Sequence, residues 1–270
     1  MKKIKKHKFL IIIILLLLFY IGFGMYSGLR VTRLEYENPK IPKEFDGYKI
    51  VQISDLHCAV FGKEQSKLIE AIEKENPDLI VITGDMFDKK RWNYDSIQKL
   101  LEGIADIAPI YAVTGNNEYD NSDMYVILMN LYEKYGVTLL QDEYVEIQKD
   151  NSRIFLYGIY YRYYVTQQNF TLQGEHNQFN IVLYHDPSQF DKLRKNSFDF
   201  ILTGHTHGGI VRLPFVGGII ANDGGFFPTY DYGMYYSETC DMYVSTGLGS
   251  SDIPRFYNRS EIVSITLKAQ

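Results

Sequence analysis

The chain has 270 residues, 46% of them apolar and 23% charged, with a formal net charge of −5 at neutral pH. That is long enough to bury a full core without a disulfide scaffold, and its two cysteines, Cys58 and Cys240, lie far apart. The acidic balance argues against a nucleic-acid binder, whose affinity rests on Lys and Arg contacts to phosphate.

In chain order, Met1 to Lys8 carries five lysines, and Phe9 to Tyr26 is an uncharged, mostly aliphatic stretch of 18 residues. A span of about 20 such residues crosses a bilayer, so this one is long enough with little to spare. Residues 1–8 are expected to form a basic cytoplasmic tail and 9–27 a transmembrane signal anchor. By the positive-inside rule the rest then lies on the extracytoplasmic side of the cell membrane, in a single-pass protein. A cleaved signal peptide is the competing reading; it calls for an apolar core of about 7–15 residues and an A-x-A-like site, and no A-x-A occurs here. Without the tail lysines, 23 basic residues face 33 acidic ones, so the exported part carries a formal charge near −10.

Residues 28–48 read as a linker and first edge segment, and 49–270 as the main folded domain. Apolar runs at Lys49–Ser54, Leu79–Thr83 and Ile110–Thr114 alternate with helical patterns at about Lys63–Glu75, Tyr94–Ala105 and Ser122–Tyr135. That is a βαβαβα half whose near-continuous apolar strands mark a buried parallel sheet. The second half is strand-rich, with runs at Glu143–Gln148, Ile154–Ile159, Phe179–Tyr184, Phe198–Thr203, Met242–Thr246 and Glu261–Leu267, and one helix near Gln189–Lys195.

Five islands of polar residues follow these apolar runs: Asp55-Leu56-His57, Gly84-Asp85, Gly115-Asn116-Asn117-Glu118, His185, and Gly204-His205-Thr206-His207-Gly208. Each sits where a strand ends, the place at which open α/β sheets build ligand sites. Asp55 and His57, two apart on extended chain, share a face and can meet one ion. Asp85 has two oxygens with which to bridge a second, as in two-metal sites about 3.5–4 Å apart. Asn116 adds a neutral oxygen, and His185, His205 and His207 add imidazoles that suit Zn, Mn or Fe better than Ca or Mg. His7 and His176 belong to the basic tail and to an exposed loop.

These motifs, D-x-H, G-D, G-N-x-E, a lone H and G-H-T-H in that order, resemble those of the calcineurin-like metallophosphoesterases of the membrane-anchored bacterial type. The resemblance runs from about Lys49 to about Leu267. It implies a four-layer α/β/β/α sandwich of two mixed sheets flanked by helices, preceded here by the transmembrane helix. It also implies two divalent transition metal ions (Mn, Zn or Fe): Asp55, His57 and His207 hold one, Asn116, His185 and His205 the other, and Asp85 bridges them. A hydroxide between the metals then attacks phosphorus, which makes Asp85 and the residue at position 117 the catalytic expectation.

The departure lies at position 117, where the family's G-N-H-[DE] has a histidine that protonates the leaving oxygen or steadies the phosphoryl group. Asn117 cannot act as a general acid, a role worth about 10²–10⁴ in rate. It either donates a hydrogen bond to phosphate or marks a weakened site. Arg212, Arg255 and Arg259 lie in late loops; Arg212 and Arg255 are expected to touch a substrate phosphate, against the plain alternative of surface arginines. Tyr157, Tyr160, Tyr161, Tyr163 and Tyr164 either line a substrate mouth or are ordinary half-buried tyrosines. Close relatives often carry G-[IV]-D-D where this chain has Gly158-Ile159-Tyr160-Tyr161. Cys58, directly after His57, reads as packing beside the site rather than as a disulfide half.

The expectation is therefore a membrane-anchored phosphohydrolase for phosphoester or pyrophosphate bonds in a small phosphorylated or lipid-linked substrate of the cell envelope. A UDP-acylglucosamine-like substrate, known for similar anchored members, needs cytoplasmic access that the lysine-flanked anchor opposes. The alternative is a catalytically weak metal-containing protein that binds phosphorylated envelope components. The pattern specifies no oligomeric state.

Overall fold

In the computed structural model, which describes residues 2–90, 93–161, 172–221, 225–250 and 254–270, the chain begins with α1 (Lys2–Gly24). From Phe9 onward this helix is apolar all round. Its segment His7–Gly24 has a mean hydropathy of 2.3 and only 6% of it is buried in the protein, so its length and composition suffice to cross a membrane.

After residues 25–29 the chain enters the first of two six-stranded sheets. In spatial order it contains β1 (Arg30–Asn38), β14 (Glu261–Ala269), β2 (Lys49–Ile53), β3 (Leu79–Ile82), β4 (Ile110–Ala112) and β5 (Val137–Leu139). Strands β2 to β5 are all parallel, as the apolar runs predict; β14 joins antiparallel to β2, and β1 parallel to β14. The second sheet contains β12 (Gly233–Tyr235), β13 (Asp241–Val244), β9 (Phe200–Thr203), β8 (Asn180–Leu183), β7 (Ser152–Gly158) and β6 (Glu143–Lys149). Its centre, β13-β9-β8-β7, is parallel and its two edges are antiparallel. A hairpin, β10 (Val211–Leu213) and β11 (Gly217–Ile220), stands apart from both.

Strand periodicity sorts the core into three layers. Val51, Ile53, Ile80 and Ile82 point outward against α2 (Ser66–Glu75), α3 (Tyr94–Ile104) and α5 (Ser122–Lys134). Ile50, Val81, Ile181, Leu183, Phe200 and Ile265 fill the space between the sheets. On the far side, Val182, Ile201 and Val244 are covered by Phe190 and Leu193 of the short α6 (Phe190–Leu193) and by aromatic residues. The result is the expected α/β/β/α sandwich, with its fourth layer thin.

Several elements were not foreseen. β5 and the hairpin strands are too short to show a period, and the edge segment within 28–48 is the nine-residue β1, in which Tyr36 alone is buried. The helix expected from Lys63 starts with a 3-10 turn, because Glu64 and Gln65 take left-handed backbone, and continues as α2 only from Ser66. The four-residue α4 (Asn116–Tyr119) arises within the third motif itself. Tyr163 and Tyr164 lie outside the described residues.

Tyr36 makes the segment read as a linker part of the core: its ring stacks on Phe200 of the other sheet at 4.0 Å between centroids, and its hydroxyl lies 3.1 Å from Asp199 O and from Asp241 Oδ2. Tyr36→Ala is expected to cost about 3 kcal/mol of stability in urea unfolding, since it opens a cavity between the sheets; a loss within about 0.5 kcal/mol would mean that β1 is dispensable.

Candidate metal centre

The strands that carry the motifs deliver them to one place. β2, β3 and β4 of one sheet and β8 and β9 of the other end at Asp55, Asp85, Asn116, His185 and His205. Gln52 holds these ends in register, its Nε2 donating to Thr83 Oγ1 at 3.0 Å and to Thr203 O of the facing sheet at 2.9 Å. Beyond the strands the backbone turns sharply, and Asp55, His57, Asp85, His205 and His207 all have positive φ, between 47° and 69°. Each such residue costs roughly 1–2 kcal/mol of local strain, concentrated where the candidate ligands stand. Close packing holds the turns in place: a Cβ on Gly204 would collide with Ser54 Oγ and Asp55 Oδ2, so only glycine admits the fifth motif beside the first.

Seven donor atoms converge. His57 Nε2 and His207 Nε2 are 3.1 Å apart, with Asp55 Oδ1 3.9 Å from the first and 3.7 Å from the second. His185 Nε2 lies 3.2 Å from His205 Nδ1 and 3.2 Å from Asn116 Oδ1. Between the two groups sits Asp85, its Oδ2 3.6 Å from His57 Nε2 and 3.4 Å from His185 Nε2. That oxygen is buried and has no hydrogen-bond partner among the described residues, while Oδ1 accepts from Asn117 N at 2.9 Å. Paired lone pairs and an orphaned carboxylate oxygen fit cations. Asp55, His57 and His207 form one group able to hold a metal ion, and Asp85, His185 and His205 a second.

The electrostatics agree. Burial pushes the Asp85 carboxyl up, yet the His185 and His57 imidazoles hold it below the usual range. His185 moves up to about 10, the Asp85 carboxylate outweighing burial, so a metal must displace a proton there. Burial and the neighbouring His57 and Arg255 keep His207 well below its ordinary value, and burial with His185 lowers His205.

Other residues fix the ligands from behind. Thr83 O lies 2.7 Å from His185 Nδ1, Gly249 O lies 3.2 Å from His207 Nδ1, and Asp88 Oδ2 lies 3.8 Å from His57 Nδ1. Such contacts orient imidazoles toward a metal. Glu118, buried, accepts the N–H groups of Asp85 at 3.0 Å, Phe87 at 3.1 Å and Gly115 at 2.8 Å, clamping the second motif to the third. Burial and Asp85 raise its carboxyl to about 7. The roles of Asp88, Thr83 O and Gly249 O escaped the sequence; an acid three residues beyond Asp85 was the available signal for the first.

The expected substrate contacts are placed differently. The Asn117 amide nitrogen donates to Phe87 O at 2.8 Å and lies 3.0 Å from His57 Nδ1, whose part in that contact depends on which ring nitrogen carries the proton. Arg255 is buried, donating to Thr246 O, Gly247 O and Gly249 O, with Nη2 3.5 Å from His207 Nδ1. Arg212 pairs with Asp231 at 2.8 Å, and Arg259 donates to Gly28 O and Leu29 O. Carbonyl-rich loops and one carboxylate engage these guanidinium groups, while Arg255 Nη1 is buried with no hydrogen-bond partner among the described residues. Tyr161 packs edge-on to His185 at 5.7 Å and lies 5.9 Å from Tyr119, whereas Tyr157 is core. Both cysteines are free and buried. A cavity of about 290 Å³ opens beside His205, lined by Asp186, Ser188, Thr206, Thr229 and Tyr230 among others.

Residues 48–209 match the calcineurin-like phosphoesterase family, and the chain belongs to it. It is accordingly a metal-dependent phosphoesterase. It is 31% identical over 252 residues to the metallophosphoesterase YkuE of Bacillus subtilis (strain 168), covering 89% of this chain and 86% of that one. To YkoQ of the same organism it is 27% identical over 257 residues, 91% and 94% of the two chains. To the phosphodiesterase YaeI of Escherichia coli (strain K12) it is 30% identical over 176 residues, 63% of this chain and 64% of that one.

Glu118→Ala would strand three buried N–H groups, each worth about 1–3 kcal/mol when unpaired. The variant is expected to melt lower and to retain less metal after gel filtration, measured as metal per chain by mass spectrometry. Unchanged metal content would show that the clamp does not shape the site.

Proposed function

We propose that the chain is a membrane-anchored phosphohydrolase in which Asp55, His57 and His207 hold one divalent transition metal, Asn116, His185 and His205 hold a second, and Asp85 bridges the two. The observation that carries this reading is the Asp85 Oδ2 atom, buried, without a hydrogen-bond partner and facing one imidazole nitrogen of each group. When bound, two such ions supply Lewis-acid polarisation of a phosphoryl oxygen and acidify a water enough to attack phosphorus at neutral pH.

The chain's own residues set what can be cleaved. Asn117 packs its amide against His57 and has no acidic group with which to protonate the leaving oxygen. Rate should therefore depend steeply on leaving-group acidity. The cavity beside His205 presents hydroxyls and the Asp186 carboxylate, with no lysine or arginine among its described lining residues. It suits a neutral, hydroxyl-bearing group better than a second phosphate. The apolar span of α1, with five lysines ahead of it in the chain, supports a single-pass anchor with the domain on the extracytoplasmic side.

The full chain, stripped and reloaded with Mn, Zn or Fe, is expected to hydrolyse p-nitrophenyl mono- or diesters, and Asp85→Asn to lower turnover by about 10³-fold or more, several kcal/mol of lost charge stabilisation. Turnover that survives Asp85→Asn or chelation would contradict the two-metal reading. Two bound metals with no turnover on any ester would favour the phosphate-binding alternative.

A further inference from the structure

The last turn of α1 is fastened to the catalytic domain. The Tyr257 ring lies 4.9 Å from that of Tyr20 and 5.9 Å from that of Phe23, its hydroxyl donates to Tyr20 O at 3.0 Å, and its N–H donates to Gly24 O at 2.6 Å. Phe256 meets Tyr20 edge-on at 6.4 Å. A Cβ on Gly24 would come within 2.5 to 2.7 Å of atoms of these two rings, so glycine is what lets the helix seat here. An apolar span of 18 residues is about 27 Å long, against a hydrocarbon core of about 30 Å. With no length to spare, Phe256 and Tyr257 stand at the depth of the membrane boundary.

The β10–β11 hairpin starts from that same point. Arg212 N donates to Phe256 O at 2.9 Å, Phe256 N donates to Ile210 O at 3.1 Å, and Val211 bridges Phe256. The hairpin then shows solvent a run of large apolar side chains: Phe215 is wholly exposed, and Leu213 and Val216 flank it. Ile220 pairs with Phe226, and Phe226 and Phe227 are both exposed by more than half. Water-facing surfaces seldom gather such residues without a partner to cover them. Phe227 leads directly into Pro228, Thr229 and Tyr230, which wall the cavity beside His205.

We propose that this hairpin, with Phe226 and Phe227, is a second membrane-contacting element that rests on the lipid surface beside α1, and that it holds the cavity mouth at headgroup level to receive a phosphoester carried by a lipid. Lipid is the occupant because the hairpin's base is tied to residues at the boundary depth of the membrane helix. The seating is apolar rather than electrostatic: outside the tail the chain carries an excess of acidic residues, so neutral lipid suffices and salt leaves it intact. The inference rests on the anchored phosphohydrolase reading and adds the substrate's carrier.

The test uses the full chain in phosphatidylcholine nanodiscs, with two substrates that share a leaving group: the p-nitrophenyl ester of phosphatidic acid in the bilayer, and bis-p-nitrophenyl phosphate in water. The double variant Phe215→Ser, Phe226→Ser is expected to lose about tenfold on the lipid ester and to stay within about twofold on the soluble one. Independently, Phe215→Trp in a Trp92→Phe background should be quenched by bromine-labelled acyl chains. Quenching without a selective loss would overturn the lipid-borne substrate and keep the seating. No quenching would overturn the seating, and a loss of self-association in the double variant would then make a second copy of the chain the occupant. If the unaltered chain turned over neither ester, the hydrolase reading would fail, while the quenching would still decide whether the hairpin meets lipid.

Discussion

One carboxylate oxygen organises this molecule. Asp85 is buried with Oδ1 fixed by the Asn117 N–H and Oδ2 left unpaired between imidazoles that come from different sheets. A buried, ionised oxygen without a hydrogen-bond donor is costly to build, and a cation offsets that cost. The left-handed turns at Asp55, His57, Asp85, His205 and His207 add strain that the packing must also override. Functional geometry here is held against local preference by everything around it.

The sandwich supplies what overrides it. Parallel strands from both sheets end at the same level, so loops far apart in sequence interlock: His205 N donates to Asp55, Gly204 N to His185 O, and Gly249 N to Asp55 O. Glu118 and Gln52 then tie neighbouring loops and strand ends to each other. Behind the opposite wall, Arg255 draws the carbonyls of the 246–249 turn around itself, and Gly249 O faces His207. Since the segment bearing Arg255 also bears Phe256 and Tyr257, α1 and the back of the candidate metal centre share one loop.

The parts legible in sequence were those with a repeating or chemically unmistakable pattern. Apolar runs located β2, β3, β4, β8 and β9, because strands buried on both faces read as continuous Ile and Val. Residue type and order picked out seven candidate ligands, and the structure brings all seven side chains together. Arginine roles did not follow: Arg212 and Arg255 look free in sequence, and the carbonyls and the carboxylate that engage them come from chain folded back around them. Asn117 is similar, since its partner Phe87 O lies on another loop. β1 falls within the segment read as linker and first edge; its bounds were not legible because a strand at a sheet edge needs only one buried side chain, here Tyr36, to be held.

The central claim is that Asp85 joins two ions into one centre, and X-ray absorption on the Mn-loaded protein addresses it directly. The account predicts a metal–metal scattering vector at about 3.5–4 Å that disappears in Asp85→Asn. A single isolated ion, or a pair whose separation is unchanged by that substitution, would contradict it.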